Sequence, residues 1–200
     1  MRPTGKTEPQ RPAKMSEQQE IQAITDETRA WVTKVIMKYN ICPFARREVE
    51  RNSIRYLVCE ETRMEHVLQA LLDECQFLDA HPEVETSLFI LPRGFEGFYL
   101  YLDLLGIAED LLVEEGFEGT YQLASFHPDY CFDGEPQDDP ANFTNRAPYP
   151  TLHIIREEGM AAALASYNEP ESIPERNIAF ARRKGSEFFV RLLQECKKPD

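Results

Sequence analysis

No apolar run in this chain approaches the ~20 residues needed to cross a bilayer, so a helical membrane span is excluded. Clustered positive charge is missing as well. With 22 Lys and Arg against 35 Asp and Glu, the formal net charge is −13. Nucleic acids and anionic membrane surfaces are bound by replacing counterions with concentrated Lys and Arg, so neither is an expected partner, whereas a basic protein remains compatible. There is no CxxC pair: Cys42, Cys59, Cys75, Cys131 and Cys196 are scattered and odd in number. With no signal-peptide pattern, they read as free thiols in a reducing compartment, which makes the cytoplasm the expected location. Organelle import is the alternative. The motifs GxxxxGK[ST], GxGxxG after a strand, HExxH and GxSxG are all absent, and with them the usual support for phosphate-loop, dinucleotide, zincin and α/β-hydrolase chemistry. The sequence names no cofactor.

What is present is an ordinary globular composition, 42% hydrophobic and 28% charged over 200 residues, which suits one core built without metal or disulfides. Residues 1–15 read as a disordered basic tail, with four basic residues against one acidic in the first fourteen, and Met15 could serve as an alternative start. Residues 16–200 read as a single α/β domain.

Along that domain a capping box from Ser16 to Gln19 opens a helix whose apolar positions, Ile21 through Tyr39, repeat at helical spacing until Asn40. The turn NICPFA follows, presenting Cys42 and burying Phe44. Ile54 to Glu60 reads as a strand, and Thr62 as the cap of a helix with Cys75 on its core stripe. Thr86 to Leu91 is a second strand, followed by a helix that Gly116 stops. Strands three and four, TYQLASFH and PTLHIIRE, flank a long polar loop, and a helical C-terminal extension follows in which Gly185 marks a kink. Strands alternating with long helices imply right-handed crossovers and parallel pairs, with strand four antiparallel to strand three. The expected fold is therefore α/β, a mixed four-stranded sheet with helices packed on it, and a ferredoxin-like sandwich is the close alternative.

The loop between strands three and four is the place to look for function, because loops of that length inside a compact domain are functional or disordered, and Phe132, Phe143 and Tyr149 argue for order. If its flanking strands pair antiparallel, His127 and His153 arrive at one end of the sheet, facing each other. Two imidazoles with Asp129 to orient a ring meet the minimum for acid and base catalysis. The competing structural reading is that each histidine hydrogen-bonds a buried carbonyl. Asn145, Arg146 and Arg156, with Tyr149, would hold an anion, or else the arginines pair internally with the loop's acids. Cys42, in a turn near Arg46 and Arg47, is a candidate nucleophile or redox thiol, or a small buried packing group.

The residues WVTKVIMKYNICPFA, SFHPDYCF, TNRAPYPTLHIIRE and PERNI together resemble one family, catalogued as domain of unknown function 1415 and seen in bacteria and some eukaryotes. The similarity runs from about Ile21 to Arg183. Relative to the family's TNRSPYP, Ala147 stands where serine is usual, so no hydroxyl role attaches to that position. The resemblance implies no activity.

The leading expectation is a small soluble enzyme acting on an anionic small molecule, with His127 and His153 moving protons, Asn145 and Arg146 holding the anion and Cys42 as nucleophile. One rival is a non-catalytic interaction module whose acidic surface recruits a basic partner. The other is a metal protein using Cys42, His127, His153 and Asp129 or Cys131, although no metal-ligand spacing supports it. Oligomeric state is not legible.

Overall fold

Strand β2 (Thr86–Ile90) is buried at every residue, and this short apolar run is the spine on which the rest of the molecule is laid. A strand buried on both faces needs neighbours on both edges and cover above and below. β1 (Ile54–Val58) pairs with it in parallel, and β4 (Thr151–Arg156) pairs antiparallel on its other side. β3 (Tyr121–Phe126) lies outermost, antiparallel to β4, giving the order β1-β2-β4-β3. The computed structural model describes residues 15–197, so the expected N-terminal tail lies outside the described residues.

The mixed α/β sheet is the one the alternation implies: β1, β2 and β3 run in one direction and β4 is inserted against them. The ferredoxin-like alternative is set aside, because helices cover both faces. One face carries α3 (Met64–Ala80) and α4 (Phe98–Glu114), packed on Phe89, Leu152 and Ile154. Cys75, fully buried there, is the core residue its stripe implies, and burial pushes its thiol up to about 12. Glu74 of α3 is also buried; its carboxylate accepts from Arg55 Nε (2.8 Å) and Ser87 Oγ (2.5 Å), tying α3 to β1 and β2.

The opposite face carries α1 (Glu17–Trp31), α6 (Ile173–Lys184) and α7 (Ser186–Cys196), packed on Leu88, Ile90 and the long loop's Phe143. α1 begins at the expected capping box, with Ser16 and Gln19 bonding each other's backbone N–H. Its end departs from the sequence reading. Val32–Met37 widens into a π-helical segment before Asn40 turns the chain at φ 55°. Such segments are rare and concentrate at functional sites, because the extra residue per turn re-aims side chains.

A short helix not anticipated from sequence, α2 (Ala45–Arg51), follows the Cys42 turn, and Phe44 is only half-buried. Thr62 does not cap α3; Arg63 holds that position without a side-chain bond. Helix α5 (Glu157–Ala165) succeeds β4, and Gly185, at φ 78°, separates α6 from α7 as its sequence position implies.

Candidate functional site

His127 and His153 are not face to face. In the β3–β4 register Ala124 is opposite His153 and Phe126 opposite Thr151, so His127 lies one residue beyond the paired strand. Successive side chains alternate across the sheet, which sends His153 to the α1 side and His127 to the α4 side. His127 is wholly buried between Phe98 and Tyr101 of α4, with ring centroids 5.2 and 5.1 Å away. Its Nε2–H donates to the Phe95 carbonyl (3.1 Å), and its Nδ1 accepts from the Asp129 amide (3.0 Å). Both ring nitrogens are therefore engaged with backbone. Burial holds its pKa below the usual imidazole value, against weaker upward pulls from the Phe95 carbonyl and Asp129. The structural reading of His127 is the one the contacts support.

The intended anion clamp is likewise occupied. Asn145 donates to the Ser125 carbonyl (3.3 Å). Arg146 donates to the carbonyls of Tyr130 (3.0 Å) and Gln137 (2.8 Å) and stacks over Phe143. Arg156, on the α3 side of the sheet, donates to the carbonyls of Val84 and Leu78 and to the Tyr121 hydroxyl. Tyr149 donates to Glu27 (2.6 Å), and Trp31 Nε1 donates to the Arg146 carbonyl (3.1 Å). The loop is ordered, as its aromatics imply, and these groups are the reason.

His153 has a different environment. It stands on the floor of a cavity of about 220 Å³ on the α1 side of the sheet, beside Thr86 and Ala124. Trp31, Val32 and Ile36 wall it from α1 and the π segment, so the unusual helix geometry is found where it shapes this space. Cys42 and Glu48 close it from the turn and α2, and Gly159, Met160 and Ala163 from α5. Cys42 therefore shares a cavity with His153 and not with His127. Glu85, Glu48 and Thr86 belong to this site and were not singled out from sequence. The available signal was Glu85, an acid at the lip of a strand whose every residue is buried.

The Thr86 hydroxyl fixes the protonation of His153. It donates its one proton to the Ile154 carbonyl (2.6 Å) while lying 2.6 Å from His153 Nε2. That nitrogen must then carry the hydrogen and donate to Thr86, which leaves Nδ1 as a bare lone pair. Nδ1 has no hydrogen-bond partner among the described residues, and no buried polar atom there is left both sealed and unpaired. The accessible surface of His153 is thus the surface it gives to the cavity.

Burial pushes the His153 pKa down to about 4, so the ring is neutral at pH 7. Burial also raises the Cys42 thiol, against smaller downward pulls from the Phe44 and Ala45 amides and Arg176. Glu85 is raised by burial and then by Glu48. With the thiol raised and the imidazole lowered, a thiolate–imidazolium pair is disfavoured in the free cavity.

The metal expectation finds no assembled ligand set. Its two histidines are on opposite faces of the sheet, and among the described residues no three His, Cys, Asp or Glu side chains converge to hold an ion.

A family model described as a protein of unknown function (DUF1415) matches residues 23–191. The chain belongs to that family. No curated protein and no solved structure matches it. The matched span takes in every wall of the cavity, from Trp31 to Ala163.

Proposed function

We propose that this protein takes a compact, largely apolar small molecule into the cavity above the sheet, and that His153 Nδ1 accepts the molecule's polar hydrogen. The observation that carries this is the locked tautomer, which leaves an unpaired acceptor at the floor of a largely apolar space. Size supports it: an engineered cavity of about 150 Å³ accommodates benzene, so 220 Å³ has room for a substituted ring. Energy supports it too. Apolar walls left without packing partners forfeit dispersion contacts that larger side chains would recover. A chain selected for stability alone would fill it, yet Ala45, Ala124, Gly159 and Ala163 keep it open.

The wall also sets the ligand's polarity. No Lys or Arg side chain lines the cavity, and its ionisable members besides His153 and Cys42 are Glu48 and Glu85. An anion would be desolvated there without a counter-charge, so the donor is a neutral or amine group. This replaces the anionic ligand expected from sequence.

The catalytic version of the reading keeps His153 as a general base without His127. It is favoured by the same bond, because an imidazole held by Thr86 presents its free nitrogen in a fixed direction.

The test is an NMR screen of neutral and amine-bearing monocyclic fragments against the wild type and Ala163→Leu. Fragments that bind the wild type and lose the variant support the cavity; a screen in which no hit is sensitive to Ala163→Leu overturns it.

A further inference from the structure

Between Arg93 and Arg146 the chain contains twelve Asp and Glu and not one Lys or Arg. The fold gathers much of this stretch on one side of the molecule, where α4 meets the loop after β3. Helix α4 buries Tyr101, Leu104 and Ala108 on its inner face. Its outer face is unusually apolar: Tyr99 is 83% exposed and Val113 54%, and five of the large exposed hydrophobics among the described residues are on this one helix. The charged residues interleaved with them, Asp103, Glu109, Asp110 and Glu114, are all acidic.

At the N-terminal end of α4 this surface becomes a groove. Tyr99 and Leu102 form one wall, and Tyr130 and Phe132 of the loop form the other, with Asp129 and Asp133 between them. Asp133 makes no hydrogen bond or ion pair among the described residues. Glu135, also at the groove, is already paired with Arg182. The groove is distinct from the His153 cavity, being on the opposite face of the sheet and sharing no residue with it.

We infer that this groove docks a basic, leucine- or aromatic-bearing segment of another protein, whose arginine or lysine stems lie along the Tyr99, Tyr130 and Phe132 rings and whose charged heads meet Asp129 and Asp133. The chemistry is complementary at each level. Arg and Lys bury their aliphatic stems on apolar surface while keeping the head at its edge. Aromatic faces attract the cation, and the Asp133 carboxylate, with no protein partner among the described residues, is its natural counter-charge. Phosphate-bearing partners would be repelled by Asp133 in the groove and by the acids along α4, and a second copy of this chain would bring the same carboxylates against themselves.

The experiment measures fluorescence anisotropy of a labelled peptide of alternating leucine and arginine, beside the same peptide with glutamine for arginine, at about 0.15 M salt, where long-range attraction is screened. The arginine peptide should bind at least about tenfold more tightly than the glutamine one. Tyr99→Ala and Asp133→Asn should each weaken it about fivefold, an effect of the size a cation–π contact and a charge-assisted bond provide. Both side chains are exposed, so both variants should melt as the wild type does, which the same samples check. Glu83→Gln, an exposed acid at the other end of the sheet, should change nothing.

Equal binding of the two peptides, or equal weakening by Glu83→Gln and Asp133→Asn, would reduce the effect to bulk charge and overturn the proposal. A dimer in sedimentation that Tyr99→Ala dissolves would assign the groove to a second copy. That result overturns docking of a separate partner and does not bear on the His153 cavity.

Discussion

His153 Nε2 and Thr86 Oγ1 are 2.6 Å apart across the β2–β4 pair, and the same hydroxyl donates its hydrogen bond to the Ile154 carbonyl. One threonine on a buried strand thereby decides which nitrogen of a histidine on the neighbouring strand is bare. In the wild type at pH 7, ¹⁵N shifts should show Nε2 protonated and Nδ1 not. Thr86→Val removes the acceptor of a buried N–H, which costs about 1–3 kcal/mol, and should let the ring populate both tautomers. A wild-type ring protonated at Nδ1 would undo the assignment and with it the acceptor role.

His153 and His127 both make the protein sensitive to mild acid. The His153 pKa is about 4 when folded, against ~6.5 in the unfolded chain. Between those values the unfolded state binds a proton that the native state refuses, so stability falls as pH drops from ~6.5 to about 4 and is unaffected by this group above ~6.5. The loss from His153 is about 3 kcal/mol at ~1.4 kcal/mol per pH unit. His127, also lowered by burial, adds in the same direction. Urea melts of wild type and His153→Gln across pH 4–7 check this: the variant should lose most of the His153 slope, and an unchanged slope would place the penalty elsewhere.

Much of the fold was legible because its signals are local. Apolar spacing marked the long helices, Asn40, Gly116 and Gly185 marked turns at positive φ, and alternating strands and helices implied a mixed sheet. The site was less legible because it depends on register. The sequence placed β3 and β4 side by side correctly, but a strand carries its side chains to alternate faces, and only the pairing of Ala124 with His153 shows that His127 has passed to the other side. The arginines misled for a related reason. Whether Arg146 or Arg156 meets an anion or a carbonyl depends on chain segments far away in sequence, and here carbonyls take both. Cys42 in a cavity with His153 follows from the π segment, which helical periodicity read as plain α-helix.

Small residues keep the cavity open, so enlarging one should separate stability from function. Ala163 of α5 lines the space, and Ala163→Leu places three further carbons in it. Cavity filling of this kind stabilises by about 0.5–2 kcal/mol, roughly 1–8 °C for a chain of this size. Fragment binding and cellular function should fall at the same time. A variant that melts higher and works normally would mean the cavity is a packing defect with no ligand.

Arg156 offers the sharpest contrast between the anion-binding role expected from sequence and the structural role its contacts describe. Its guanidinium reaches the carbonyls of Val84 and Leu78 and the Tyr121 hydroxyl, joining β4 to the end of α3. Arg156→Met keeps the stem and removes every donor, leaving those partly buried acceptors without their bonds. Each lost bond to a charged donor is worth about 1.5 kcal/mol or more, so the variant should lose about 2–4 kcal/mol in chemical denaturation. Its denaturant slope should be unchanged, because the surface exposed on unfolding is the same. Fragment affinity at the His153 cavity should also be unchanged, since the guanidinium is on the other face of the sheet. If Arg156→Met instead unfolds as the wild type does while losing function, the guanidinium binds a ligand after all and the structural assignment fails.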